Sequence, residues 1–147
     1  MASSFKRASV VAAAVLAFVF AARGIAEAIP VPIVHYVGQQ NYMAGGQQFT
    51  RYNLAVVNYS VYPPALFAPA PNLPPCGLNK NSARTWVDIF QRGGQRLYGF
   101  CSLRSPHDLL QLWFAKPAGQ PHPHYVYVVL TDRLTNTKAQ SKLVVVP

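Results

Sequence analysis

Residues Arg84 to Leu103 read RTWVDIFQRGGQRLYGFCSL, two β-rich segments on either side of a pair of glycines. Adjacent glycines tolerate the positive φ angles of a tight turn, so the stretch predicts an antiparallel hairpin that turns at Gly93 and Gly94. If Arg92 pairs with Gln95, the ladder continues with the pairs 90–97, 88–99 and 86–101. Both faces of such a hairpin are substantially apolar, and each needs cover from another part of the chain.

Alternation along the paired strands divides the hairpin side chains between the two faces. One face carries Trp86, Asp88, Phe90, Leu97, Gly99 and Cys101, and the other carries Val87, Ile89, Tyr98 and Phe100. We expect one face to pack on a second sheet and the other to be covered by the segment that precedes the hairpin.

That segment, Pro63 to Ala83, contains six prolines, which favours extended chain over helix or ladder. Its apolar side chains predict a long loop packed across the domain, although a flexible linker would have a similar composition. A disulfide between Cys76 and Cys101 would hold this loop against the hairpin and contribute roughly 3 kcal/mol in the chain-entropy model. Free thiols, a metal-binding pair and intermolecular bridges are the alternatives, and the absence of a CxxC motif gives no support to a redox role.

The rest of the chain predicts more β-structure and one short helix. Ile33 to Val37 indicates a short edge strand followed by a glycine- and glutamine-rich loop, and Phe49 to Tyr62 indicates a long strand. Ser105 and the proline after it are typical of a helix start, and the helix would end at Pro117 after about two to three turns. A second hairpin is predicted from two further segments, Tyr125 to Thr131 and Lys138 to Val146.

Short β segments separated by turns, one disulfide and a tryptophan facing it predict a mostly β protein, a two-sheet antiparallel β-sandwich. The part from Arg84 to Val146 resembles an immunoglobulin- or fibronectin type III-like domain. The resemblance covers about half of the chain and rests on Trp86 opposite Cys101 and on the terminal hairpin YVYVVLTDRLTNTKAQSKLVV. It departs from the immunoglobulin pattern because Cys76 precedes the tryptophan strand from within a proline-rich loop. Such folds serve many functions, so the resemblance selects none of them.

The N-terminus is organised as a secretory signal peptide. Lys6 and Arg7 precede an apolar run from Ala8 to Ala22, and Ala26-Glu27-Ala28 offers a small-residue cleavage site. Because the run is shorter than a bilayer-spanning helix, we expect removal of residues 1–28 and no transmembrane segment afterwards, with retention of the run as an N-terminal anchor as the alternative. Residues 29–147 would then form a single β-sandwich domain in the periplasm or outside the cell. Their ten Lys and Arg against three Asp give a net charge of +7, spread along the chain.

Signatures of catalysis do not appear in the sequence. The acids left after cleavage each fit a structural role, and no serine or cysteine lies in a nucleophile motif. We therefore expect no enzymatic activity and no cofactor. His122 and His124 have metal-ligand spacing, with His107 as a third candidate. Because an exposed loop with solvated histidines accounts for the same pattern, we expect no metal site.

These observations predict an exported, non-enzymatic binding or structural module that contacts a protein or a cell-envelope component. Its contact surface would be the loop Pro63 to Ala83, which contains Lys80, together with the adjacent Arg84. The alternative is a module that binds an anionic glycan or another carbohydrate through basic and tyrosine side chains such as Arg51 and Tyr52. A third hypothesis, a metal-binding periplasmic protein, rests on the histidine pair. Nucleic acid is not an expected partner because of the export signal.

Overall fold

The computed structural model describes residues 28–78 and 81–147, so Lys80 and the predicted signal peptide up to residue 27 lie outside the described residues. The described chain is mostly β. Its strands are β1 (Val34–Ala44), β2 (Gln47–Val56), β3 (Thr85–Gln91), β4 (Arg96–Phe100), β5 (Leu112–Pro117), β6 (Tyr125–Asp132), β7 (Thr137–Gln140) and β8 (Val144–Val145). Short 3₁₀ helices span Tyr59–Val61, Pro64–Phe67 and Pro106–Gln111. Within the described residues, no helix has the length and apolar character needed to cross a bilayer.

The strands form two antiparallel sheets, which confirms the predicted fold class at that level. One sheet has the order β1-β2-β5, and the other has the order β4-β3-β6-β7, with β8 also pairing with β6. Buried side chains of both sheets belong to one hydrophobic cluster, which includes Leu54, Val56 and Phe114 from the first sheet and Val87, Ile89 and Leu130 from the second. The β4 edge of the second sheet lies close to β5, and β8 lies close to β1.

The first hairpin turns at Gly45 and Gly46, where the sequence predicted only a loop. β1 and β2 pair from Val34 and Val56 to Ala44 and Gln47, with one register shift that leaves Val37 as a bulge. Both glycines have positive φ angles, 57° and 78°, as a two-residue hairpin turn requires. The prediction of a short edge strand ending at Val37 is therefore wrong, since the glutamine-rich stretch after it is strand.

The β3–β4 hairpin keeps the predicted pair Asp88–Gly99 but has a different turn. A register shift after Ile89 pairs Phe90 with Arg96 rather than with Leu97. The amide of Gln91 donates to the carbonyl of Gln95 at 2.9 Å, so three residues rather than two connect the strands. The register shift leaves Leu97 of β4 without a partner on β3, and such a bulge increases the local twist at this sheet edge.

β2 ends at Val56, so the strand predicted to reach Tyr62 is too long. Asn58 accounts for the end, because its Oδ1 accepts the amide of Ile33 at 2.8 Å and its Nδ2 donates to the carbonyl of Val31 at 3.0 Å. The side chain thus takes over bonds that a continuing ladder would have made. The chain then forms the 3₁₀ helix Tyr59–Val61.

The helix predicted after Ser105 is a 3₁₀ helix that ends at Gln111. The residues expected to continue it, Leu112 to Pro117, form strand β5 and pair with β2. Leu112 and Phe114 are buried while Trp113 between them is half-buried, which is the two-residue period of a strand. Pairing with the free edge of β2 therefore outweighed the helical spacing of the apolar residues in this segment.

The predicted terminal hairpin is confirmed, with one interruption. β6 pairs first with β7 and then with β8. Between them, Ser141 donates its amide to the carbonyl of Val128 and accepts the amide of Val128 with its hydroxyl, both at 2.9 Å. One serine thus continues the edge of β6 across the gap.

Candidate binding surfaces

The proline-rich loop, residues 63–83, is fixed to the hairpin as predicted. Cys76 and Cys101 form a disulfide with a Cα–Cα distance of 6.1 Å. Phe67 in the loop is fully buried in the core. The loop also folds back on itself through an isolated β-bridge between Pro69 and Ala83. The loop is therefore ordered by packing, backbone bonds and a covalent link.

Arg133 is a second anchor of the loop, which the sequence analysis missed. Its guanidinium carbon lies 3.9 Å from the ring centre of Trp86, within the range of a cation–π contact. The same guanidinium donates to the hydroxyl of Ser82 at 3.1 Å and to the carbonyl of Pro74. One side chain thus connects the tryptophan of β3 to the loop on both sides of Cys76. An arginine next to Asp132 in a turn carried no signal for this role.

Arg84, predicted to be a contact residue, forms an ion pair within the molecule. It donates from Nε to Oδ1 of Asp132 at 2.9 Å and from Nη2 to Oδ2 at 2.7 Å. This hydrogen bonding lowers the pKa of Asp132 below its ordinary value, against the opposing effect of burial. The pair lines a cavity of about 340 Å³, together with Ile29 and Leu66. Arg84 thus connects the end of the loop to the end of β6.

Arg51 and Tyr52, the pair proposed for glycan binding, point to different environments. Arg51 lies over Trp113, with 4.6 Å between the guanidinium carbon and the ring centre, and Tyr98 stacks on the same indole at 4.3 Å. Tyr52 is only 5% exposed and stacks on Phe114 at 5.0 Å. The structure therefore does not bring the two together on one exposed face, and Trp113 already has partners for stacking.

The two histidines of the loop between β5 and β6 lie together. The ring centres of His122 and His124 are 5.1 Å apart, and His122 stacks on Tyr52 at 4.8 Å. The Nε2 atom of His122 is shielded from solvent and has no hydrogen-bond partner among the described residues. His107 instead packs edge-on against Tyr59. In the described part of the chain, no group of three or more His, Cys, Asp or Glu is placed to hold a metal ion.

The outer edge of β1 is the longest strand edge that the described residues leave unpaired. β1 has eleven residues and pairs only with β2. From Gln39 to Ala44 its side chains are exposed, apart from the half-buried Tyr42, which stacks on Phe49 of β2 at 5.6 Å. The strand contains no Lys, Arg, Asp, Glu or Pro. These backbone groups are available to another extended chain.

The ladder between β1 and β2 determines which backbone groups face outward. Paired residues next to a two-residue turn exchange both hydrogen bonds, and every second pair does so after that. Counting from the pair Ala44–Gln47, the amides and carbonyls of Gln39, Asn41 and Met43 point away from β2. They form a short row of unpaired donors and acceptors.

Comparisons with known proteins assign no family to this arrangement: no family model, curated protein or solved structure matches the chain.

Proposed function

We propose that this protein is a non-enzymatic binding module that takes an extended, uncharged segment of a partner protein as an added strand along β1. The observation that carries the proposal is the row of outward-facing backbone groups at Gln39, Asn41 and Met43, on an exposed edge without charge. Strand addition gains its affinity from main-chain hydrogen bonds, and side chains on alternate positions add selectivity.

The other edges of the two sheets carry features that discourage added strands. β1 shares two of them, since it has a bulge at Val37 and β8 lies close to it, but from Gln39 to Ala44 it pairs in regular register and carries no charge. Proteins protect edges with bulges, charged side chains and short strands. β4 has a bulge and Arg96, and β7 is four residues long and contains Lys138. β5 has β4 close beside it. The neutral stretch from Gln39 to Ala44, in an exported chain of net charge +7, is therefore the best place for a partner segment that is itself uncharged.

The roles of the three aspartates support a module that binds rather than catalyses. Asp132 is bound to Arg84, and Asp88 accepts from Nε of Arg96 at 2.7 Å. Asp108 accepts the backbone amide of Arg104 at 2.7 Å. Each carboxylate thus holds a local structure together.

Export remains part of the proposal. The Cys76–Cys101 bridge fits an oxidising compartment, because intracellular thiols of ordinary organisms are kept reduced. An exported module would meet its partner protein at the cell envelope or outside the cell. The intact mass of protein recovered from the exported fraction tests this: we expect a chain that starts at Ile29, with both cysteines resistant to alkylation until reduction.

Amide hydrogen exchange and one matched pair of variants test the strand-addition proposal. Uncharged ten-residue peptides are selected from a displayed library against the disulfide-bonded protein. We expect bound peptide to slow exchange at Gln39, Asn41 and Met43, and N-methylation of alternate peptide amides to abolish binding. Met43→Pro removes an outward amide and should weaken binding at least tenfold, whereas Met43→Ala keeps that amide and should bind like the natural chain.

Three results would overturn the proposal: protection at another surface, binding that survives N-methylation, or equal binding by the two Met43 variants. Thermal unfolding of each variant must show that it is folded. Sedimentation of the protein alone tests another occupant of the same edge, a second copy of the chain. If the protein forms a stable dimer that Met43→Pro dissociates, the strand added to β1 comes from a second copy of the chain and not from a different protein.

A second candidate, binding of an anionic polysaccharide, is favoured by one observation on another surface. Arg92 lies over the exposed ring of Tyr125, 5.5 Å from its centre. Both residues line a shallow cavity of about 290 Å³ with Gln91, Pro123 and His124. Retention on immobilised heparin tests this candidate. It predicts elution at lower salt for Arg92→Gln than for Lys138→Gln, and equal elution would argue against it.

A further inference from the structure

We infer that the partner segment added along β1 carries an aromatic side chain opposite Tyr42, so that the protein selects uncharged strands with an aromatic residue at one fixed position. The inference rests on the proposed strand addition and deepens it, because it names the chemistry of the segment. The register of the first sheet carries it, since three apolar side chains form one row that ends at the free edge of β1.

The row of apolar side chains crosses all three strands of the first sheet. Tyr42 of β1 pairs with Phe49 of β2, and Phe49 pairs with Pro117 of β5. Directly paired residues share a face of the sheet, and the rings of Tyr42 and Phe49 stack with 21° between their planes. All three side chains are half-buried. Because β1 pairs only with β2 among the described residues, Tyr42 is the open end of the row.

The backbone ladder would bring a partner side chain close to Tyr42. The backbone groups of Tyr42 face β2, whereas those of its neighbours Asn41 and Met43 face outward. In an added antiparallel strand, the residue opposite Tyr42 would therefore belong to a non-hydrogen-bonded pair, with Cα atoms about 4.5 Å apart and side chains at their closest. An aromatic ring at this position would extend the row, and aromatic cross-strand pairs are more stabilising than pairs of alanines.

The other face of β1 is less suited to an aromatic side chain. Asn41 is exposed there, and its Oδ1 accepts the hydroxyl of Thr50 at 2.9 Å. Met43 is exposed on the same face, and its cross-strand partner Gln48 is polar and exposed as well. An aromatic side chain opposite Tyr42 would gain ring stacking in addition to burial, whereas one opposite Met43 would have no ring to stack on. The two faces therefore favour one orientation of the partner strand.

A double-mutant cycle between β1 and a selected uncharged ten-residue peptide tests the inference. N-methylation of one peptide amide at a time gives the orientation, because methyl groups are tolerated only where the amide points away from β1, as it does opposite Gln40, Tyr42 and Ala44. We expect an aromatic residue at one tolerant position, and its replacement by alanine should weaken binding about fivefold. Tyr42→Thr removes the ring and keeps a β-branched residue. In that variant the same peptide change should weaken binding less than about twofold.

Gln40→Thr is the matched control on the same face, and Met43→Ala is the control on the other face. In both, the change of the peptide aromatic residue to alanine should still weaken binding about fivefold. Two results would overturn the inference and leave strand addition in place: bound peptides that slow exchange along β1 but have no aromatic residue at a tolerant position, or coupling to Gln40 or Met43 instead of Tyr42. Absence of protection at Gln39, Asn41 and Met43 would remove strand addition and the inference with it. Thermal unfolding must show that Tyr42→Thr is folded.

Discussion

Arg84 and Asp132 are 48 residues apart in the sequence and form a bidentate ion pair, with hydrogen bonds of 2.9 Å and 2.7 Å. The Asp132 side chain is only 5% exposed, and that of Arg84 is 27% exposed. The pair joins the end of the proline-rich loop, directly before β3, to the end of β6. Arg84 is therefore a structural residue, which changes how a substitution there should be interpreted.

The first prediction concerns this ion pair. Asp132→Asn should lower the free energy of unfolding by roughly 3 kcal/mol, because it leaves a partly buried guanidinium without its counter-charge. Urea denaturation provides the measurement. Asp88→Asn is the matched control: its partner Arg96 is 60% exposed, so we expect a loss of no more than about 1 kcal/mol. Equal losses would contradict the structural role of the Arg84–Asp132 pair.

The second prediction concerns pH. Because the pKa of Asp132 is lower in the folded state than in the unfolded chain, the unfolded chain binds the proton more readily. The stabilisation is complete above the unfolded value of about 3.9 and is lost as the pH falls through the folded pKa. Unfolding curves between about pH 6 and pH 2 should show this loss in the natural chain. The decrease in the free energy of unfolding at acid pH should be smaller in Asp132→Asn. Equal decreases in the two proteins would show that Asp132 is not its source.

The third prediction concerns the disulfide. The double variant Cys76→Ala/Cys101→Ala should lose roughly 3 kcal/mol in free energy of unfolding, since the bridge closes a loop of 25 residues. The fold should survive, because Phe67 and Arg133 also hold the loop. Comparison of reduced and oxidised natural protein by urea denaturation gives an independent value. A stability unchanged by reduction would show that the other anchors suffice.

The fourth prediction concerns Arg133, which is expected to order the loop. Arg133→Lys keeps the charge but cannot reproduce the planar fork that contacts Trp86, Ser82 and Pro74. Limited proteolysis with mass mapping should show cleavage within residues 69–80 several-fold faster than in the natural chain. Arg92→Lys is the control, because Arg92 also lies over an aromatic ring but is at the other end of β3. Equal acceleration in both variants would exclude a specific role for Arg133.

The two glycine pairs show how far local sequence rules extended. The rule that adjacent glycines mark a two-residue turn fails at Gly93–Gly94, where a bulge adds a residue, and holds at Gly45–Gly46, where no hairpin was predicted. Both pairs have positive φ angles, so the requirement for glycine was the same. Strand pairing beyond the turn decided the loop length in each case, and the local sequence contains no information about that pairing.

The candidate sites were predictable to different degrees. The disulfide was predicted from the hairpin pattern and is confirmed. The β1 edge was missed because glutamine and glycine are typical of loops, although a β2 partner makes the stretch a strand. The ion pair of Arg84 was missed, since a partner 48 residues away cannot be recognised from neighbouring residues, and the contact surface predicted there stays a prediction. The likeness to immunoglobulin and fibronectin type III domains stays a prediction.

The sequence by itself determined that this chain is mostly β, where the loop is covalently held, and that its terminal segment folds back as a hairpin. Those features depend on residue types and on neighbours within a few positions. Only the tertiary structure decided that Leu112 to Pro117 is a strand, that Tyr52 is buried, and that Arg84 and Arg133 act as internal anchors. Each of these outcomes depends on contacts between distant segments, and such contacts outweigh local preferences because burial and pairing contribute more free energy than propensity does.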